Sequence, residues 1–164
     1  MQSLTISLAL VAILLVVTLQ VHLSQAINCT LPLTKVGEKF YFVESKAKKS
    51  WYDANAYCIS NGLQLANVES EYKFNELADF LSTMGYRSDW VWIGAIGRQG
   101  SWLQFGPARR LPYANWYISQ PDNLNSENCM NLYRISEKWY MNDYSCRTAL
   151  SYICEIDDSR TYIN

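Results

Sequence analysis

Five cysteines, at positions 29, 58, 129, 146 and 154, constrain this chain more than any other feature, and the segment ahead of them says what state they are in. Residues 1–26 hold no Asp, Glu, Lys or Arg, run largely apolar from Leu4 to Val17, and end Ser24-Gln25-Ala26. Small residues two apart at the close of such a run fit a secretory signal peptide, with cleavage expected after Ala26. The rival reading, a membrane anchor of spanning length, wants a basic flank that this segment lacks. A secreted chain oxidises its cysteines, so disulfides are expected and one cysteine of the five must be left over. Four cysteines pair in three ways, and spacing alone does not choose among them.

Cleavage leaves about 138 of the 164 residues, which is one domain by length and enough to bury a sizeable core. The charged residues all lie in that part and sum to a formal net charge of -1. Such a balance offers no field of one sign to nucleic acid or to a lipid surface. The short basic clusters Lys46, Lys48, Lys49 and Arg109-Arg110 read as solvated loop charge. The single histidine, His22, falls in the leader. The mature chain therefore has no His-based general base, zinc ligand or Ser/Cys–His nucleophile, and a binding protein is expected rather than an enzyme.

Hydrophobic patterning predicts two helices followed by short strands. Phe40 to Val43, aromatic and β-branched after Gly37, reads as a strand. Ser50 is a candidate N-cap for a helix with Trp51, Ala54 and Cys58 on one face, stopped by Asn61-Gly62. Ser70 caps a second, with Phe74, Leu77, Ala78 and Leu81 aligned and Gly85 at its end. Trp90 to Gly94, Cys129 to Tyr133 and Ser151 to Cys154 read as strands. The stretch from Gly94 to Asn128 reads as long loops broken by Trp102 and Phe105, and loops of that length in a compact domain are usually functional. Helices first and strands after make an α+β domain, and residues 158–164 a polar tail.

The functional signal lies in those loops. Gln120-Pro121-Asp122-Asn123-Leu124-Asn125-Ser126-Glu127-Asn128-Cys129 and Trp139-Tyr140-Met141-Asn142-Asp143-Tyr144-Ser145-Cys146 collect Gln120, Asp122, Glu127, Asn142 and Asp143 near two cysteines. Three carboxylates and two amide carbonyls suit calcium, which takes six to eight oxygen ligands in irregular geometry. Pro121 fixes its own φ and stiffens the turn that carries Gln120 and Asp122. About 5–6% of X–Pro bonds in folded proteins are cis, so the sequence favours trans there.

Together with Trp92-Ile93-Gly94, Asn115-Trp116, Asn142-Asp143 and Tyr152-Ile153-Cys154-Glu155, this segment resembles the ligand-binding region of the C-type lectin family in its Gln-Pro-Asp form. The resemblance spans roughly residues 38–157, with 27–37 left as an N-terminal segment. It implies the C-type lectin-like fold, with two helices, small antiparallel sheets and long calcium-binding loops. It also implies nested disulfides, Cys58 with Cys154 and Cys129 with Cys146. On a chain-entropy estimate, closing loops of about 100 and about 15 residues is worth about 4.7 and about 3 kcal/mol.

The resemblance further implies that one calcium ion is held by Gln120, Asp122, Glu127, Asn142 and Asp143, and that the same side chains hydrogen-bond two neighbouring sugar hydroxyls. The Gln-then-Asp order resembles that of members that bind galactose and N-acetylgalactosamine. Three departures stand out. Asn123-Leu124 replaces the usual aromatic and glycine-rich segment, leaving Tyr117, Trp139, Tyr140 or Tyr144 as alternative stacking rings. The loop to Glu127 is about one residue short. Met141 occupies the usual place of a Trp before Asn142. A second calcium would need acids where Ala95, Ile96, Gly97, Asn123 and Asn128 stand, so a single site is expected.

A leader plus one lectin domain resembles small secreted lectins of invertebrates, which implies glycans or glycoproteins on microbial or cell surfaces as partners and a role in innate immunity. Cys29 could link two chains as a homodimer, and Asn28-Cys29-Thr30 is the only N-glycosylation sequon. The competing reading is a calcium-independent module of the same fold that binds a protein or another non-sugar ligand.

Overall fold

A computed structural model describes residues 31–86, 90–98, 100–105 and 109–156, with isolated positions 11 and 13. The rest of the leader, Asn28, Cys29 and the tail lie outside the described residues. In order, the elements are β1 (Thr34–Val36), β2 (Lys39–Lys49), α1 (Trp51–Ser60), β3 (Leu63–Leu65), α2 (Glu71–Thr83), β4 (Trp90–Arg98), β5 (Ser101–Gln104), β6 (Arg109–Arg110), a 3-10 turn (Leu124–Ser126), β7 (Cys129–Ile135), β8 (Lys138–Tyr144) and β9 (Leu150–Ile156).

Both helices start at the expected serines. The Ser50 hydroxyl accepts from the Asp53 amide and the Ser70 hydroxyl from the Lys73 amide, each at 3.2 Å, satisfying one of the donors a helix start leaves open. Trp51, Ala54 and Cys58 of α1 and Phe74, Leu77 and Leu81 of α2 are buried. The Trp51 indole also donates to the Ile93 carbonyl at 2.8 Å, fixing α1 to β4.

The strands join into one mixed sheet rather than separate small antiparallel ones. The reason lies in β9. Six consecutive residues, Leu150 to Glu155, are buried, and a strand covered on both faces can stand in the centre of a sheet. It runs antiparallel to β2 and β3 and parallel to β4, where Val91 faces Ser151 and Trp92 faces Tyr152. From β4 the sheet continues through β7 to β8, and on another edge through β5 to β6. The Gly94–Asn128 stretch, read from sequence as loop, thus holds two further strands. Their pairing is set by partners that a local pattern does not reveal.

Two disulfides tie this frame, Cys58 to Cys154 and Cys129 to Cys146, across 96 and 17 residues of sequence. The first pins α1 to β9. The second pins the start of β7 to the segment after β8, so the β7–β8 hairpin is closed at the end where the long loop arrives. That loop is anchored by backbone: Met141 donates to Asn115 at 2.7 Å, Tyr117 to Met141 at 2.9 Å, and Gly97 to Asn128 at 2.8 Å.

Candidate metal and ligand site

β8 supplies the base of the site. Its alternation turns Met141 and Asp143 to the core side and Asn142 to the other, and Asp143 is fully buried. A buried carboxylate needs donors, and this one takes them from the loop. Its Oδ2 accepts from the Asn123 amide at 2.7 Å and its Oδ1 from the Asp122 amide at 3.3 Å.

The loop can present those amides because of how it coils. The Gln120–Pro121 bond is cis, against the expectation from frequency, and Ser119, Asn123, Asn125 and Ser126 all have φ between 51° and 68°. Asn tolerates this left-handed region better than other non-glycine residues, which gives Asn123 and Asn125 a backbone role. Within the turn Gln120 Nε2 donates to Asp122 Oδ2 and the Asp122 amide donates to Gln120 Oε1, both at 3.1 Å. Leu124 N–H donates to Asp122 Oδ1 at 2.9 Å.

The turn then returns Glu127, whose amide donates to the Leu124 carbonyl at 3.1 Å. Carboxylate oxygens of Asp122, Glu127 and Asp143 all lie within 4.8 Å of one another. Despite the shorter loop, Glu127 reaches its fellow acids. Among the described residues none of the three forms an ion pair. Burial, and then the charges of Asp143 and Asp122, push the Glu127 carboxyl above its ordinary pKa. Three carboxylates that converge this closely could hold a cation. The all-oxygen donor set, with no His or Cys in the group, fits calcium rather than zinc.

Asn142 stands slightly apart. Its Nδ2 donates to Asn131 Oδ1 at 3.2 Å and to the Asp143 carbonyl, so the carbonyl Oδ1 is the end left to act as a ligand. Gln120, Asp122, Glu127 and Asp143 are linked by direct contacts or proximity. The contacts of Asn142 run to the β7 side.

The aromatic candidates separate clearly. Trp139 is 4% exposed and its indole donates to Ser82 at 3.0 Å, so it is a core residue and not a ring open to a sugar. Tyr117, Tyr140 and Tyr144 are half-buried in a chain of ring contacts with Tyr133, Trp90 and Trp92. Met141 is buried, and its sulfur accepts from the Asn115 amide at 3.3 Å. Where a stacking aromatic would follow the Gln-Pro-Asp turn, Leu124 stands 61% exposed.

Sequence reasoning missed the other wall. The β4–β5 hairpin places Gly97, Arg98, Gly100, Ser101 and Trp102 across a cleft of about 330 Å³ from Pro121, Asn123, Glu127 and Asn128. Only the register of Ile96 with Leu103 and of Gly97 with Trp102 brings these residues there.

A family model described as "Lectin C-type domain" matches residues 47–156. "C-type lectin 37Db" of Drosophila melanogaster is 30% identical over 124 residues, covering 75% of this chain and 81% of that protein. The mouse scavenger receptor C-type lectin carbohydrate-recognition domain superposes with a TM-score of 0.64 at 25% identity, over 77% of this chain and 94% of that one. A calcium-independent type II antifreeze protein shares the fold with a TM-score of 0.64 at 23% identity, over 80% and 95%.

Proposed function

The chain belongs to the C-type lectin domain family, and on that premise we propose that it is a secreted, calcium-dependent carbohydrate-binding protein of the galactose and N-acetylgalactosamine type. The observation that carries the reading is the convergence of Asp122, Glu127 and Asp143 within 4.8 Å. Gln120, Asp122, Glu127, Asn142 and Asp143 would hold one calcium ion. When bound, calcium supplies a concentrated positive charge with coordination positions open to two neighbouring sugar hydroxyls. The chain's own share is hydrogen bonding: carboxylate oxygens accept from a hydroxyl while Gln120, with one amide N–H left beyond its bond to Asp122, donates to it. Having Gln120 before Asp122 sets which hydroxyl meets a donor and which an acceptor, and this order favours galactose over mannose.

Around that site we assign residues 1–26 as a signal peptide, 27–37 as an N-terminal segment, 38–157 as the lectin domain and 158–164 as a polar tail. The partners are glycans and glycoproteins on microbial or cell surfaces, in a role in innate immunity. Single sugar sites bind weakly, so linking two chains through Cys29 would raise avidity, and Asn28 would carry a glycan.

The test is binding to immobilised galactose and mannose with calcium, with EDTA, and for the Gln120→Glu/Asp122→Asn double variant. Calcium-dependent retention on galactose that shifts to mannose in the variant is the expected result. Retention of the native protein on mannose would keep the site and overturn the specificity. Binding that ignores EDTA would replace this reading with that of a calcium-independent module for a non-sugar ligand.

A further inference from the structure

The cleft between the β4–β5 hairpin and the Gln120–Asn128 loop shares Glu127 with the carboxylate cluster and opens directly beside it. Its far wall has a composition of its own. Arg98 is exposed and, among the described residues, forms no ion pair. Trp102 is half-buried, with its ring centroid 5.0 Å from that of Trp116, and the ring lies so close over Gly97 that a Cβ there would sit 3.2 Å from it. Glycine at 97 therefore lets the indole approach the strand closely enough to serve as a floor. The same residue donates its amide to the Asn128 carbonyl at 2.8 Å, so both walls are joined by backbone. Asn123 and Asn128 add polar side chains to the opposite face.

An aromatic floor accepts the apolar face of a sugar ring. Arg98, which lines the cleft and has no ion pair among the described residues, would select for an anion, since a guanidinium donates paired hydrogen bonds to carboxylate or sulfate oxygens. We propose that this cleft is a second subsite that receives an acidic substituent, a sulfate or a carboxylate, on the saccharide held at the neighbouring calcium site, with Arg98 as its counter-charge and Trp102 as its floor. The inference rests on the proposed calcium and sugar site, and it narrows the ligand class from neutral to acidic glycans.

The experiment compares galactose, galactose 6-sulfate and galacturonic acid, with mannose and mannose 6-sulfate as a parallel set, by titration calorimetry in calcium. Native protein and the Arg98→Gln variant are measured side by side. A charge-assisted pair of hydrogen bonds is worth roughly tenfold or more in affinity, so an acidic sugar is expected to bind native protein about tenfold more tightly than its neutral parent. In Arg98→Gln that advantage disappears while neutral-sugar affinity and thermal stability stay unchanged. The sulfate and uronate arms tell which anion the cleft takes. Equal affinity for neutral and acidic sugars in native protein, with calcium dependence intact, overturns the subsite and leaves the primary site standing. An acid preference that survives Arg98→Gln also overturns it. No calcium-dependent binding of any sugar overturns both.

Discussion

Glu155 on β9 and Asp143 on β8 are both fully buried, but one meets a lysine and the other meets two more carboxylates. Lys39 on β2 places its ammonium 3.1 Å from Glu155 and 3.0 Å from Glu69, and Gln64 donates to Glu155 at 3.0 Å. Burial works against the charge of Lys39, yet Glu155 and Glu69 outweigh it and hold its pKa above the ordinary value. On its partner the balance reverses: burial pushes the Glu155 carboxyl up to about 7 despite the pull of Lys39. Among the described residues no lysine or arginine pairs with Asp143 or with its neighbours Asp122 and Glu127. The first region carries its own cation, whereas the second gathers three carboxylates that, on the proposed reading, take theirs from outside.

Removing the built-in cation should have the largest effect. Lys39→Met leaves Glu155 buried without its counter-charge, and breaking a buried pair from one side costs about 3–5 kcal/mol, measurable by urea unfolding at neutral pH. The loss should shrink on acidification. A carboxyl whose folded pKa exceeds its unfolded value binds more proton when folded, so its contribution to stability falls as pH rises between the two. For Glu155 that window runs from 4.5 to about 7, and it extends higher once Lys39 is gone. If the variant lost as much stability at pH 4 as at pH 8, the Lys39–Glu155 pair would not be what holds this region.

The second region should respond to calcium instead. At a hundred times its dissociation constant a ligand that binds only the folded state stabilises it by about 2.7 kcal/mol. That gain, read as a calcium-dependent rise in the unfolding midpoint, should appear in native protein and persist in Lys39→Met. It should vanish in Asp143→Asn, which removes the buried charge beneath the Asp122 and Asn123 amides. A gain that survived Asp143→Asn would place the calcium elsewhere.

The two regions also differ in what a reader of the sequence could have known. Asp122, Glu127 and Asp143 were legible because two short polar runs near Cys129 and Cys146 concentrate oxygen donors, and the helix starts at Ser50 and Ser70 were legible because capping is a local event. Lys39 and Glu155 stand 116 residues apart, and nothing local marks them as partners. The same holds for β5 and β6, whose strand character comes from pairing with β4, and for Arg98 and Trp102, which join the site only through that hairpin. Trp139 was misplaced among possible sugar-facing rings because an aromatic beside a binding motif looks alike in sequence whether it faces the cleft or, as here, packs under α2 against Tyr86 and Ser82. The cis bond at Gln120–Pro121 belongs to the same class, being a property of the closed loop and not of the dipeptide.

The smallest effect is also the one that separates repulsion from metal binding. In calcium-free protein Glu127 faces Asp143 and Asp122 with its pKa raised by burial and by both charges, so the cluster is a source of instability that, on the proposed reading, bound calcium relieves. Glu127→Gln keeps the shape and removes one charge. Without calcium the variant should therefore be slightly more stable than the native protein at pH 7, by about 0.5 kcal/mol, the scale of a partly screened charge pair near the surface. With calcium the order should invert, because the native protein gains a ligand that the variant has weakened. Lys39→Met cannot show such a crossing, since its missing cation is part of the chain and no concentration of calcium restores it. A Glu127→Gln variant that was less stable than native protein both with and without calcium would mean that Glu127 serves the loop's packing, and the contrast between a closed pair and an open cluster would fail at this residue.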